Sequence, residues 1–173
     1  KTEDAPAQSD FVTLDADGSM HPGEIPAFVG ALLAGADYAK GSRFIQGGGT
    51  HDMELRRKAG NWALRATARL AFGGHYSDLC YGYNAFWADL LPVFDGTADG
   101  FEIETFLNLR ALSSGLRVTE VPSFEAPRLT GRSNLRTIPD GMRVLRTIFR
   151  ERVAEARWKA ESFDEDPPLE VEA

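Results

Sequence analysis

Cysteine is nearly absent. Cys80 is the only one in 173 residues, so no intrachain disulfide can form and a reducing compartment fits. That lone thiol reads as a small buried hydrophobe. Long apolar runs are missing as well: nothing approaches the ~20 residues of a membrane-spanning helix. No signal-peptide pattern is visible either. The expectation is a cytoplasmic protein whose contact with a membrane, if it has one, is peripheral and at the inner face. Net positive charge is also lacking. A formal charge of −7 argues against general nucleic-acid binding, which needs a basic face. Internal repeats are absent.

What is present suffices for a packed core: 43% of the residues are hydrophobic and 26% charged. The length suits one domain or part of one. Residues 1–9 form a polar, Pro-containing lead-in, residues 10–160 the folded portion, and residues 161–173 an acidic tail. Pro167-Pro168 within that tail has the composition of disorder.

Phe11-Val12-Thr13-Leu14 is apolar and β-branched, and Asp15-Ala16-Asp17-Gly18-Ser19 stops it, so the pattern predicts a buried strand running into an acidic turn. Ligands of open α/β sheets gather at such strand ends. Two carboxylates two residues apart on an extended segment can face one hard cation. The run also starts like a calcium-binding EF-hand loop. It fails where that loop needs Gly at its sixth position (Met20) and Glu at its twelfth (Pro26), and Pro22 removes an amide. A plain Asp-rich turn capping the next helix is the third reading.

Pro22 and Glu24 open a helix over residues 22–33, with Ile25, Phe28, Val29, Leu32 and Leu33 on one face. A short strand is expected over 37–41. Residues 45–52, with three consecutive glycines, read as a mobile loop, and Gly47-Gly48-Gly49 lacks the spacing of a phosphate-binding fingerprint. A long helix over 53–72 has Leu55, Ala59, Trp62, Leu64, Ala66 and Leu70 as candidate packing residues, and Gly73-Gly74 ends it. A helix over 101–112, a half-buried strand over 117–121 and a last helix over 139–159 complete the reading.

Four further segments follow the acidic pair in order: Lys40-Gly41-Ser42-Arg43-Phe44, then Ser77-Asp78-Leu79-Cys80-Tyr81-Gly82-Tyr83-Asn84-Ala85-Phe86, then Gly100-Phe101-Glu102-Ile103-Glu104-Thr105-Phe106, and Arg128-Leu129-Thr130-Gly131-Arg132-Ser133-Asn134. This ordered set resembles the inverting family 2 glycosyltransferases of GT-A fold, in particular the dolichol- and polyprenyl-phosphate sugar synthases. The resemblance runs from about Asp10 to Arg152. It implies an α/β fold, a mixed Rossmann-like sheet flanked by helices. It also implies that the nucleotide-binding opening portion of the domain is missing from the sequence, which would leave the chain alone inactive.

The resemblance assigns roles. Asp15 and Asp17 would hold Mg²⁺ or Mn²⁺ against the diphosphate of a nucleotide-sugar donor. Glu104, six residues before Arg110, stands at the catalytic-base motif, although Ile103 replaces the first acidic residue of the pair and Glu104 the usual Asp. The alternative for Glu104 is a solvent-facing glutamate at a helix N-terminus. Asp78 matches a pocket motif near the sugar, or caps a turn. Arg43, with Arg56 or Arg57, matches acceptor-phosphate positions. Arg128 and Arg132 flank Gly131 in a loop where Asn134 stands in place of the usual Lys and Arg136 lies close by. Arginine's fork suits phosphate, although each arginine alone also reads as a solvated surface cation.

The last helix carries apolar Val144, Leu145, Ile148, Phe149 and Val153 among Arg143, Arg146, Arg150, Arg152, Arg157 and Lys159. Residues 142–159 can rest on an anionic leaflet, or pack on the sheet with the arginines in water. The resulting expectation is sugar transfer from a nucleotide-diphosphate sugar to a polyprenyl phosphate, a lipid-phosphate acceptor, with metal assistance. The alternatives are a GT-A glycosyltransferase with a hydroxyl acceptor, such as a glycan or natural product, and a non-catalytic metal-binding remnant.

Overall fold

The computed structural model describes residues 9–51, 53–96, 98, 100–129 and 136–165. The apolar run ahead of the acidic turn forms β1 (Asp10–Thr13). A 3-10 turn over Pro22–Glu24 leads into α1 (Ile25–Leu33), the proline sitting where its missing amide is not needed. Then follow β2 (Tyr38–Ser42), β3 (Gly49–Thr50), α2 (Leu55–Phe72), β4 (Asn84–Trp87), a 3-10 helix over Ala88–Phe94, α3 (Ile103–Ser113), β5 (Val118–Pro122), β6 (Phe124–Glu125) and α4 (Thr137–Glu165).

The fold is mixed α/β. Four strands form one sheet in the order β1-β4-β2-β5, with β4 antiparallel to both neighbours and β2 parallel to β5. Because strand side chains alternate, β2 sends Ala39 and Gly41 toward α1 and Tyr38 and Lys40 to the other face. On the first face Phe28, Leu32, Ala39, Tyr83, Ala85 and Val121 pack together, and the Phe28 and Tyr83 rings stack 4.2 Å apart. On the second, Tyr38, Phe86 and Phe94 pack against Ala111 of α3. A third cluster of Ala68, Tyr76, Leu79, Leu109, Val144 and Ile148 joins α2, α3 and α4. Among the described residues, no helix is long and apolar enough to cross a membrane.

Several local expectations change. Residues 45–52 are not a simple flexible loop, because Gly49 and Thr50 pair in parallel with Phe124 and Glu125 as a separate two-stranded sheet. The glycines serve close approach there: a Cβ on Gly48 would sit 2.4 Å from the Ser42 carbonyl oxygen. On α1, Leu33 is exposed rather than packed. On α2, Leu64 packs as expected, but Leu55, Ala59, Trp62 and Leu70 face outward while Asn61 and Ala68 are buried. The inward arc of α2 meets polar Asp78 and the neighbouring α4, so small and polar residues occupy it. Gly73 ends α2 in the left-handed region (φ 74°). On α4, Val144 and Ile148 are buried, yet Phe149 and Val153 are exposed, and Asp140, Thr147 and Glu151 share the buried arc. α4 also continues to Glu165, five residues past the expected boundary with the tail.

Candidate functional site

The exit of β1, the start of α3, β6 and the facing sides of α2 and α4 enclose a cavity of about 820 Å³. Its lining includes the charged Asp15, Asp17, Arg43, Arg57, Glu104, Glu125, Arg128 and Asp140, and the apolar Met53, Ala63, Leu64, Ile138, Met142, Val144 and Leu145. The fold thus brings together residues from distant parts of the sequence.

Asp17 sits in a turn where Gly18 adopts φ 78°. Its Oδ1 accepts the Ser19 amide at 2.9 Å, and Oδ2 pairs with Arg128 at 3.0 Å. Asp17 therefore forms an Asx turn and also lines the cavity. The Leu129 amide donates to the Asp17 carbonyl at 3.0 Å, tying the segment after β6 to the acidic turn and delivering Arg128. The two carboxyls diverge in acidity. Burial, and next the charge of Asp17, pushes Asp15 above the usual range. Burial acts the same way on Asp17, but the Ser19 hydrogen bonds and Arg128 outweigh it and hold that carboxyl low.

Glu104 occupies the first turn of α3 and is half-buried on the cavity, so it is not the solvent-facing helix glutamate of the alternative reading. Burial, reinforced by the nearby Asp15 charge, pushes it up to about 7 against the opposing charges of Lys40 and Arg43. Gly82 separates the two acids. A Cβ there would stand 2.9 Å from Asp15 Oδ1 and 3.5 Å from Glu104 Oε1. Arg110, expected to accompany Glu104 on this helix, instead pairs with Glu151 of α4 at 2.8 Å and ties the two helices.

Asp78 is fully buried and does not reach the cavity. It holds Arg43 bidentately, with Nε at 2.6 Å and Nη2 at 3.0 Å, and accepts from Asn61 at 2.9 Å. Burial would raise Asp78, but Arg43 more than offsets it. Arg43 also donates through Nη1 to Glu125 at 2.9 Å and through Nη2 to the Cys80 carbonyl at 3.0 Å, and its guanidinium lies over the Tyr81 ring. Of the two arginines on α2, Arg57 lines the cavity. Arg56 points outward, largely exposed, to pair with Glu54. Arg132, with Gly131, Ser133 and Asn134, lies outside the described residues.

Three participants were not singled out from sequence. Lys40 is fully buried beneath the site, donates to the Gly41 and Tyr81 carbonyls, and is lowered to about 8 by desolvation. Glu125 and Thr50 share the outer side of Arg43. A lone lysine inside an otherwise small-residue strand was the available signal for Lys40; nothing local marks Glu125. Among the described residues, no group of three or more His, Cys, Asp or Glu side chains is arranged to hold a metal ion.

Comparison with known proteins agrees with this architecture. No protein-family model matches the chain. It is 33% identical over 128 residues to the polyprenol monophosphomannose synthase of Mycolicibacterium smegmatis, covering 72% of this chain and 48% of that protein. It is 32% identical over 128 residues to the undecaprenyl-phosphate mannosyltransferase of Micrococcus luteus, covering 72% of this chain and 52% of that protein. Glycosyltransferase AglJ of Haloferax volcanii is 29% identical over 138 residues, 79% of this chain and 45% of that protein. A mixed α/β domain with an acidic turn at a strand end is the general class. The chain is similar to family 2 glycosyltransferases of the polyprenyl-phosphate sugar synthase kind. It spans about half the length of the curated relatives it matches.

Proposed function

We propose that this chain carries the metal- and acceptor-binding half of an inverting glycosyltransferase that moves a sugar from a nucleotide-diphosphate donor to a polyprenyl phosphate. One observation carries the reading: a single cavity is lined both by charged groups, Asp15, Asp17, Glu104, Arg57 and Arg128 among them, and by apolar side chains of α2 and α4. An acceptor with a phosphate head and an isoprenoid tail presents the same two kinds of surface. The names of the relatives, which refer to polyprenol and undecaprenyl phosphates, support the same acceptor class.

Asp15 and Asp17 fit a divalent cation. Their carboxylates line one space, and Asp15 is raised first by burial and next by the charge of Asp17, a repulsion that a cation between them would relieve. Bound Mg²⁺ or Mn²⁺ would supply charge neutralisation for the departing diphosphate. Arg128, now on Asp17, would then be free to turn to a phosphate oxygen. Arg57 would orient the acceptor phosphate, whose oxygen attacks the anomeric carbon as the bond from that carbon to the diphosphate breaks and its electron pair leaves with the nucleotide. Asp78 is in this reading a positioning residue, holding Arg43 from behind.

Leu55 and Trp62 on α2, and Ile138, Met142, Phe149 and Val153 on α4, are exposed apolar side chains, of which Ile138 and Met142 line the cavity. Both helices are rich in arginine, so we place this face on an anionic membrane surface, where the acceptor resides. The lone cysteine fits the reducing, cytoplasmic side.

The test is transfer to a short-chain polyprenyl phosphate by the full protein, together with Mn²⁺-dependent binding of a nucleotide diphosphate. Asp17→Asn should abolish the cation-dependent binding. Arg57→Ala should raise the KM for acceptor about ten-fold or more, the worth of one charge-assisted contact, with the donor KM unchanged. Parental values in both variants would end this reading. A hydroxyl acceptor is the second reading, favoured by Glu104, whose cavity position and pKa near 7 suit a general base. Transfer only to free hydroxyls, lost in Glu104→Gln, would establish it.

A further inference from the structure

Arg43 is an unusual phosphate ligand, because its charge is already matched. Asp78 takes Nε and Nη2, and Glu125 takes Nη1 at 2.9 Å. With buried Lys40 counted, the two carboxylates balance the cations of the cluster, so a phosphate brought to it intact finds no unmatched positive charge. The two carboxylates are not equivalent. The Asp78 side chain is 0% exposed and walled off behind Arg43, with Asn61 and the Cys80 amide as further partners. The Glu125 side chain is 18% exposed and lines the cavity that holds the acidic turn and Arg57. Asp78 is thus built in, while Glu125 stands on the side from which a ligand would come.

The backbone beneath Glu125 stands outside the main sheet, tied through the Phe124 amide to Glu24 and the Ala126 amide to Ser19, so it is the side chain that is free to move. That backbone belongs to β6, two residues long, which pairs only with the two-residue β3. The Glu125 carboxylate is steadied by one further donor, the Thr50 hydroxyl at 2.8 Å, from the opposite strand of that pair. Few interactions need to break for this side chain to swing away.

We propose that Glu125 is a resident anion that the acceptor's phosphate must displace from Arg43, so that the Arg43–Glu125 contact sets acceptor affinity. The proposal rests on the acceptor-phosphate reading of this cavity. The phosphate takes the Nη1 donor that Glu125 vacates, and Asp78 keeps the guanidinium in place throughout. Glu125 thereby excludes weakly charged ligands from Arg43, since only an anion stronger than a single carboxylate gains by the exchange.

The experiment is calorimetric titration of the full chain with farnesyl phosphate and, separately, with inorganic phosphate. Glu125→Gln keeps the size and a hydrogen bond to Thr50 but removes the charge; it should bind farnesyl phosphate about ten-fold or more tightly than the parent. Inorganic phosphate should tighten in the same direction, and nucleotide-diphosphate binding should not change. Thr50→Val, which only loosens Glu125, should shift phosphate affinity the same way by a smaller factor and serves if Glu125→Gln folds poorly. Equal or weaker farnesyl phosphate binding in both folded variants overturns the displacement proposal while leaving the acceptor reading intact. A gain for inorganic phosphate alone overturns it too, by making Arg43 a free-anion site. No farnesyl phosphate binding by parent or variants defeats the acceptor reading and this proposal with it.

Discussion

At the scale of single residues, Glu104 carries the sharpest consequence of the burial pattern. Its carboxyl is pushed up to about 7 by desolvation and then by Asp15, so the folded protein takes up this proton more readily than the unfolded chain does. The stability that the neutral acid contributes is complete below the ordinary carboxyl range and is lost as pH rises through about 7. Glu104→Gln mimics the neutral form at every pH. It should therefore be more stable than the parent at pH 8, by up to roughly 3 kcal/mol, with the gap closing by about pH 5. Urea unfolding of both proteins at the two pH values measures this. A gap independent of pH would show that Glu104 is not desolvated in the folded state. Titrating groups that do not interact with Glu104 cancel in that difference, while Lys40 and Asp15, which couple to it, are part of what the difference measures.

At the scale of elements, the glycine run and α2 show how packing reverses local appearance. Three glycines in a row look like freedom, yet Gly48 lies where the chain passes closest to the end of β2. Gly48→Ala would place a methyl group against the Ser42 carbonyl, backbone that cannot swing aside, and should destabilise by about 1–3 kcal/mol. Thermal unfolding decides it, and an unchanged Tm would restore the mobile-loop reading. For α2, apolar residues recur at helical spacing, which predicts a buried stripe. Instead that stripe is the outer one, because the inner arc must deliver Asn61 to Asp78 and let Ala68 pack in the cluster that joins α2 to α4. Periodicity locates a stripe; it does not say whether protein or something else covers it.

At the scale of the whole molecule, charge is segregated. The chain sums to −7, but residues 55–72 contain five arginines and lysines and no acid. The exposed apolar side chains Leu55, Trp62, Met142 and Phe149 lie on α2 and on α4, whose stretch over residues 142–159 carries six cations against Glu151 and Glu155. A net acidic protein should therefore still float with vesicles containing an anionic lipid, lose them at high salt, and ignore neutral vesicles. Trp62→Ser with Phe149→Ser should weaken the association without changing its salt dependence. Equal flotation with neutral vesicles would argue for apolar insertion alone, and none with either would remove the membrane face.

The sequence by itself determined helices α1 to α4, strands β1, β2 and β5, and the family resemblance, while β3, β4 and β6 emerge only from the pairing of the folded chain. Strand β1 and its acidic turn, α1 behind its proline, the glycine stop of α2 and the order of Arg43, Asp78, Glu104 and Arg128 are all local patterns, set by backbone sterics and side-chain chemistry within a few residues. Which groups meet across the sheet is not local. Tertiary structure alone decided that Asp78 turns inward to hold Arg43, that Arg57 rather than Arg56 reaches the cavity, and that Glu125 faces Arg43 from a two-residue strand. The two carboxylate partners of Arg43 lie 35 and 82 residues away in the chain, and desolvation and pairing energies have no signature in the spacing of a chain.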